Sequence, residues 1–123
     1  MIINFISKIK KKKGIENIIV MGDFNSTRYT KEYNLMRDIV IDTCPMNNNI
    51  ATIHGFGDKA GKKIDYIFVS ENASIRGYDV LREKYWNLCL QKDFYPSDHY
   101  PVYCEIQFDG NYFGISDPWL DKV

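Results

Sequence analysis

The chain has 123 residues, enough for one domain and too few for two comfortable ones. Lysine plus arginine and aspartate plus glutamate number 16 each, a balance that argues against binding nucleic acid by bulk electrostatics. The hydrophobic share of 45% suits a globular core, and no stretch reaches the roughly 20 apolar residues that a membrane helix needs.

Ile2 to Lys13 reads as an amphipathic helix, with Ile2, Phe5, Ile6 and Ile9 at helical spacing and Gly14 as its stop. Its positive charges follow the apolar residues instead of preceding them, unlike a secretory signal. Lys8 and Lys10 to Lys13 crowd its last turns. They read as a solvated helix end whose dipole favours cations; the sharper alternative is a phosphate-binding or membrane-surface patch. The β-branched run Ile18 to Met21 predicts a strand buried on both faces. Ser26 and Thr27 mark a turn. Thr30 is an N-cap for a short helix through Ile39, with Tyr33, Met36 and Ile39 facing the core.

Pro45 to Asn49 is a polar loop and Ala51 to Ile53 a short strand. His54 to Lys63, with Gly55, Gly57 and Gly61, reads as a long hairpin connection. Ile64 to Ser70 is the clearest strand. Asp65, Ile67 and Val69 share one face, Ile64, Tyr66 and Phe68 the other, which places it inside the sheet. Ile75 to Leu81 is a weaker strand, and Lys84 to Tyr95 is ambiguous between element types. Tyr85, Trp86, Phe94 and Tyr95 read as core or rim residues before they read as stacking platforms. Val102, Cys104, Ile106 and Phe108 alternate with Tyr103, Glu105 and Gln107, the pattern of a half-buried strand. Asp109 to Val123 is aromatic and irregular. Cys44, Cys89 and Cys104 are odd in number and lack a CxxC spacing, so neither a disulfide framework nor a zinc site is expected. Cys104 reads as a small core residue, and a reducing, cytoplasmic setting is the mild preference.

Three acidic stations stand at strand boundaries: Gly22-Asp23-Phe24-Asn25, Ile64-Asp65-Tyr66-Ile67 and Ser97-Asp98-His99. Alone, the first reads more readily as an Asx turn and the second as a strand-end cap. Together they bring three carboxylates, an amide and an imidazole to one rim. That set suits hydrolysis of a phosphate ester. Magnesium prefers carboxylate oxygens plus water, and Asp98 is a natural ligand. Asp23 can bind metal or take the proton of an attacking water. Asn25 can donate its NH₂ to water or to a phosphate oxygen without adding charge. His99 can donate to a phosphate oxygen, with Asp65 fixing its tautomer or its charge.

With these residues the chain resembles the C-terminal half of the endonuclease/exonuclease/phosphatase superfamily. The carriers are IIVMGDFN (Ile18 to Asn25), KIDYIFVS (Lys63 to Ser70) and YPSDHYPVYCEI (Tyr95 to Ile106), and the match runs from about Asn17 to Phe108. ATIHGFG (Ala51 to Gly57) resembles a microbial subset with a Thr-x-His-Gly-Phe element, which implies that His54 faces the substrate. The resemblance implies an α+β fold, part of a four-layer α/β/β/α sandwich of the deoxyribonuclease-like type, mainly one β-sheet with flanking helices. Residues 1–123 would be the C-terminal portion of such a domain. It implies magnesium or manganese as cofactor, and a phosphoester substrate such as a nucleic acid, an inositol phosphate or a lipid phosphoester. Asp23 and Asn25 would activate water and grip phosphate, Asp65 would orient His99, and Asp98 would serve the metal and phosphate environment. The family's principal magnesium ligand is a glutamate of the N-terminal half. None of Glu16, Glu32, Glu71, Glu83 and Glu105 sits in a comparable motif. An N-terminal half or partner chain would then cover an exposed apolar sheet face. The alternative is a non-catalytic remnant or interaction module of the same fold.

Overall fold

The amphipathic spacing at the N-terminus forms α1 (Ile2–Lys10), which buries Ile6. The helix ends earlier than Lys13, where four consecutive lysines crowd one turn. The backbone tightens instead, with Lys12 N donating to Ile9 O at 2.9 Å. Gly14 follows at φ +90°, a conformation that strongly favours glycine. Lys10 turns inward and donates through Nζ to Ile39 O at 2.5 Å, with Glu71 at 3.7 Å. The lysine cluster is thus partly used in holding the helix to the body.

The computed structural model describes residues 2–12, 14–56 and 61–108. After α1 come β1 (Ile19–Asp23), α2 (Lys31–Arg37), β2 (Ile41–Asp42), β3 (Asp65–Val69), β4 (Ala73–Val80), β5 (Tyr85–Asn87), β6 (Lys92–Phe94) and β7 (Val102–Phe108). The α+β reading holds. The main sheet has the order β1-β3-β2, and β4-β7 and β5-β6 form two-stranded ribbons beside it. β3 is the central strand, as its two apolar faces predicted. The ambiguous Lys84 to Tyr95 segment resolves into the β5-β6 hairpin. Ala51 to Ile53 does not form a strand. Ile53 makes isolated bridges to Lys62 and His99, because it sits between two partners and runs alongside neither. The expected aromatic tail beyond Phe108 lies outside the described residues. No helix among the described residues is long and apolar enough to cross a membrane.

Alternation sends Val20, Tyr66 and Phe68 to one face of the sheet, where both helices lie. Ile6, Tyr33, Met36, Val40, Tyr66 and Phe68 form the core, with Ile3, Val20, Phe24 and Ile39 against it. On the opposite face, Tyr100 and Val102 approach Met21 and Ile67. The sequence predicted β1 buried on both faces, and this is corrected: Ile19 is 46% exposed and Met21 66%. Helices cover only one face of the sheet, and β1 is an edge strand at which nothing comparable among the described residues covers the other.

α2 begins where the sequence placed it. Thr30 is the N-cap, its Oγ1 accepting from Tyr33 N at 3.2 Å while its hydroxyl donates to Thr27 O at 2.8 Å. The helix stops at Arg37, short of Ile39: Ile39 N closes a tighter i→i−3 turn on Met36 O, an acceptor it shares with Val40 N. Thr30→Ala is expected to lower stability by about 1 kcal/mol, the usual value of such a cap, as read from the urea midpoint at unchanged m-value.

One buried polar network was not foreseen. The Arg28 guanidinium donates to the carbonyls of Cys44, Pro45, Met46 and Asn48. Asp42 lies 3.6 Å from its Nε and accepts from Tyr33 Oη at 2.8 Å. Burial and the Asp42 carboxylate push the Tyr33 phenol up to about 12. This network fixes the loop after β2.

Candidate active site

β1 ends and β3 begins at the same level. Asp23 and Asp65 are antiparallel partners in the ladder. Gly22 precedes Asp23 at φ +149°, where an L side chain is rare. Phe24 N extends the pairing by donating to Ile64 O at 2.9 Å. The Phe24 ring meets Tyr66 and Phe68 edge to face at 5.9 and 5.4 Å. That anchor holds the loop entrance against the core. Asn25 then turns at φ +50°, which asparagine tolerates. Its N–H donates to Asp23 Oδ1 at 2.8 Å. The Asx turn weighed as a bland alternative is therefore real, and it orients the Asp23 carboxylate while Oδ2 stays available.

The third station arrives on the segment before β7. Ser97 Oγ accepts from His99 N at 3.1 Å. The His99 ring lies with Nδ1 at 2.8 Å from Asp65 Oδ2, 3.8 Å between Nε2 and Asp23 Oδ2, and 4.0 Å between Nε2 and Asp98 Oδ1. The four side chains are partly shielded, from 18% exposed at Asp65 to 49% at Asp98. The hydrogen bond that His99 Nδ1–H donates to Asp65 raises the His99 pKa above its ordinary value, desolvation opposes it, and the charges of Asp65, Asp98 and Asp23 add to the rise. A shallow hollow of about 220 Å³, lined by Met21, Asp23, Asp65, Ile67, Tyr100 and Val102, opens beside the cluster.

The structure thus brings together Asp23, Asp65, Asp98 and His99. Asn25 joins through its backbone. His54 stands apart from that cluster. It is 8% exposed, and its ring packs against Tyr95 at 4.3 Å and Tyr100 at 4.5 Å. Phe56 N donates to its Nδ1 at 2.9 Å, so Nε2 carries the proton of the neutral ring, and that nitrogen has no partner. Its backbone does reach the site: His54 N and Gly55 N donate to Asp98 O at 2.9 and 3.2 Å. Sequence reasoning passed over Thr52 and Tyr100. Both stood inside quoted motifs, Thr52 as the threonine of the Thr-x-His-Gly-Phe element and Tyr100 next to His99, without being given a role.

One atom each of Asp23, Asp65 and His99 lies within 4.8 Å of the others, close enough to surround a metal ion. Asp65 Oδ2 is engaged by the His99 ring and Asp23 Oδ1 by the Asn25 N–H; Asp23 Oδ2 and the Asp98 carboxylate are oxygen donors turned to the rim. Both belong to hard carboxylates at a partly open rim. That donor set fits an oxygen-seeking divalent cation that keeps several waters, and it does not fit a soft metal.

A family model described as Endonuclease/Exonuclease/phosphatase matches residues 4–99. No curated protein sequence matches the chain. Among solved structures, a mannosyl-6-phosphatase of Bacteroides thetaiotaomicron superposes with a TM-score of 0.70 at 24% identity, covering 87% of this chain and 43% of that one. An endonuclease/exonuclease/phosphatase family protein of the same organism gives 0.71 at 24% identity, with 88% and 43% covered. A conserved protein of unknown function from Enterococcus faecalis gives 0.67 at 21% identity, with 85% and 42% covered. The chain spans less than half the length of each of these structures, and at these identities the likeness shows the fold.

Proposed function

Because the chain belongs to the endonuclease/exonuclease/phosphatase family, we propose that it is the C-terminal, catalytic-residue-bearing portion of a metal-dependent phosphoesterase. The observation that carries this reading is the pairing of His99 Nδ1 with Asp65 at 2.8 Å, which turns Nε2 toward the Asp23 and Asp98 carboxylates.

Asp65 holds the imidazole in one orientation and favours its charged form, so Nε2–H can donate to a phosphoryl oxygen as charge develops there. Asp23, held by the Asn25 amide through Oδ1, offers Oδ2 to the proton of an attacking water. The Asn25 side-chain NH₂ donates to water or to phosphate without adding repulsion. Asp98 and Asp23 would hold magnesium or manganese, which supplies charge neutralisation at the phosphoryl group. His54 backs the site through its main chain, its N–H donating to Asp98 O, while its buried ring packs against Tyr95 and Tyr100. The substrate is a phosphomonoester or phosphodiester, and a sugar phosphate, nucleic acid, inositol phosphate or lipid phosphoester each offers the required group.

The open face at Ile19, Met21 and Ile41 takes a second sheet, from another part of the protein or from a partner chain. That segment would also bring the glutamate ligand that the family resemblance implies. The test is hydrolysis of bis-p-nitrophenyl phosphate and p-nitrophenyl phosphate, with magnesium, with manganese and with chelator. It is run on this chain alone and on the chain combined with a family N-terminal half. Metal-dependent turnover by the combined protein, absent after His99→Ala, is the expected result. No turnover on any phosphoester in either form would leave the non-catalytic interaction module as the reading.

A further inference from the structure

We propose that Thr52 is a positioning residue that sets the Asp65–His99 pair; the purpose of that pair rests on the reading above. Thr52 is 0% exposed. Its Oγ1 accepts from Ile64 N and from Asp65 N, both at 3.0 Å, and its hydroxyl reaches Lys62 O at 3.5 Å. A hydroxyl has two lone pairs and one proton, so all of its hydrogen-bonding capacity is committed. Its carbonyl serves the other segment, while its N–H shares Lys62 O with the hydroxyl. Thr52 O accepts from Tyr100 N at 2.8 Å, and Thr52 N donates to Lys62 O at 3.0 Å.

One residue therefore holds the main chain of Asp65 through its side chain and the main chain beside His99 through its carbonyl. Ile53 bridges to His99 itself, and His54 N and Gly55 N take the carbonyl of Asp98. Asp65 opens β3, and His99 lies 34 residues further on, in the segment before β7. Among the described residues, Thr52 is where a single side chain and its own carbonyl join both. A shift of either segment would open the 2.8 Å contact between the carboxylate and Nδ1. Misplacement of a catalytic group by about 1 Å can lower a rate on the order of a hundredfold.

The experiment compares Thr52→Val, which keeps the shape and removes the acceptor, with Thr52→Ser, which keeps the oxygen. The readout on the chain itself is the ring nitrogen-15 shift of His99, which reports a hydrogen-bonded Nδ1–H, together with hydrogen exchange of the Asp65 amide. Thr52→Val should lose the hydrogen-bonded signature and exchange that amide roughly tenfold or more faster, and Thr52→Ser should retain both. If Thr52→Val does not fold, Thr52→Cys, with a weakly accepting sulfur, is read in the same way. In a preparation that turns over a phosphoester, Thr52→Val should lower kcat with KM unchanged. A destabilised Thr52→Val with an unaltered His99 signature would overturn the proposal, as would loss of the signature in Thr52→Ser. Neither outcome depends on turnover, so failure of this proposal is distinct from failure of the phosphoesterase reading, which His99→Ala tests.

Discussion

Asp65→Asn is expected to lower phosphoester turnover by roughly 10²–10⁴-fold, the range that acid–base assistance by a positioned side chain supplies. Asparagine can still face Nδ1, but it brings no charge. In the parent protein, the Asp65 hydrogen bond is the largest cause of the raised His99 pKa, and the charges of Asp65, Asp98 and Asp23 reinforce it. Removing the carboxylate lowers that pKa, so the imidazole loses its proton earlier as the pH rises. The alkaline limb of the activity profile should therefore move to lower pH, as well as the maximum falling. Stability has a matching sign. A group whose pKa is raised on folding contributes stability that is fully present below its unfolded value, about 6.5 for histidine. That contribution is lost as pH rises through the higher folded-state value. Thermal midpoints of the parent should decline across that window, and those of Asp65→Asn should vary less. Unchanged activity and an unchanged pH profile in Asp65→Asn would remove His99 from the chemistry.

Phe68→Ala is expected to cost about 3–5 kcal/mol, the range for truncating a buried aromatic. Phe68 is 1% exposed on the central strand β3. Its ring stacks on Tyr66 at 5.3 Å, meets Phe24 edge-on at 5.4 Å and lies 6.2 Å from Tyr33. Removing it leaves three aromatic neighbours facing a void that a stiff sheet cannot close. Domains of this kind hold only about 5–15 kcal/mol in total, and an open sheet face places this chain toward the lower end. Loss of the cooperative urea transition is the expected result. Retention of the transition with a shift under about 1 kcal/mol would mean that the core lies elsewhere. The same variant should disturb the site, since Phe24 leans on Phe68 one residue after Asp23.

The sequence was most legible where chemistry and chain geometry coincide. Asp23, Asp65 and His99 each stand where an apolar run meets a polar one. Strand ends are the places where side chains can be both rigidly held and exposed, so their convergence followed from the pattern. The Thr30 cap was legible because its mechanism is local. What escaped notice was everything decided by partners distant in sequence. Ile18 to Met21 announces an apolar strand, and nothing in it says which body covers each face, so the exposure of Met21 could not be foreseen. The Arg28–Asp42–Tyr33 network joins charges that a sequence reading sends to the surface. The packing of the His54 ring against Tyr95 and Tyr100 depends on a chain reversal that periodicity does not report. The β5-β6 segment was unreadable for a different reason. Its strands are three residues each, too short to show a period.

The ladder pairing of Asp23 with Asp65 has a thermodynamic consequence. Like charges directly opposite each other weaken an antiparallel pair. The sheet is therefore least content with itself at the end where it opens to solvent, and any positive species lodged there relieves the mismatch. Binding such a species and zipping β1 onto β3 are linked equilibria, each favouring the other by the same amount. The edge that would meet a phosphoester is also the edge whose closure depends on its ionic surroundings.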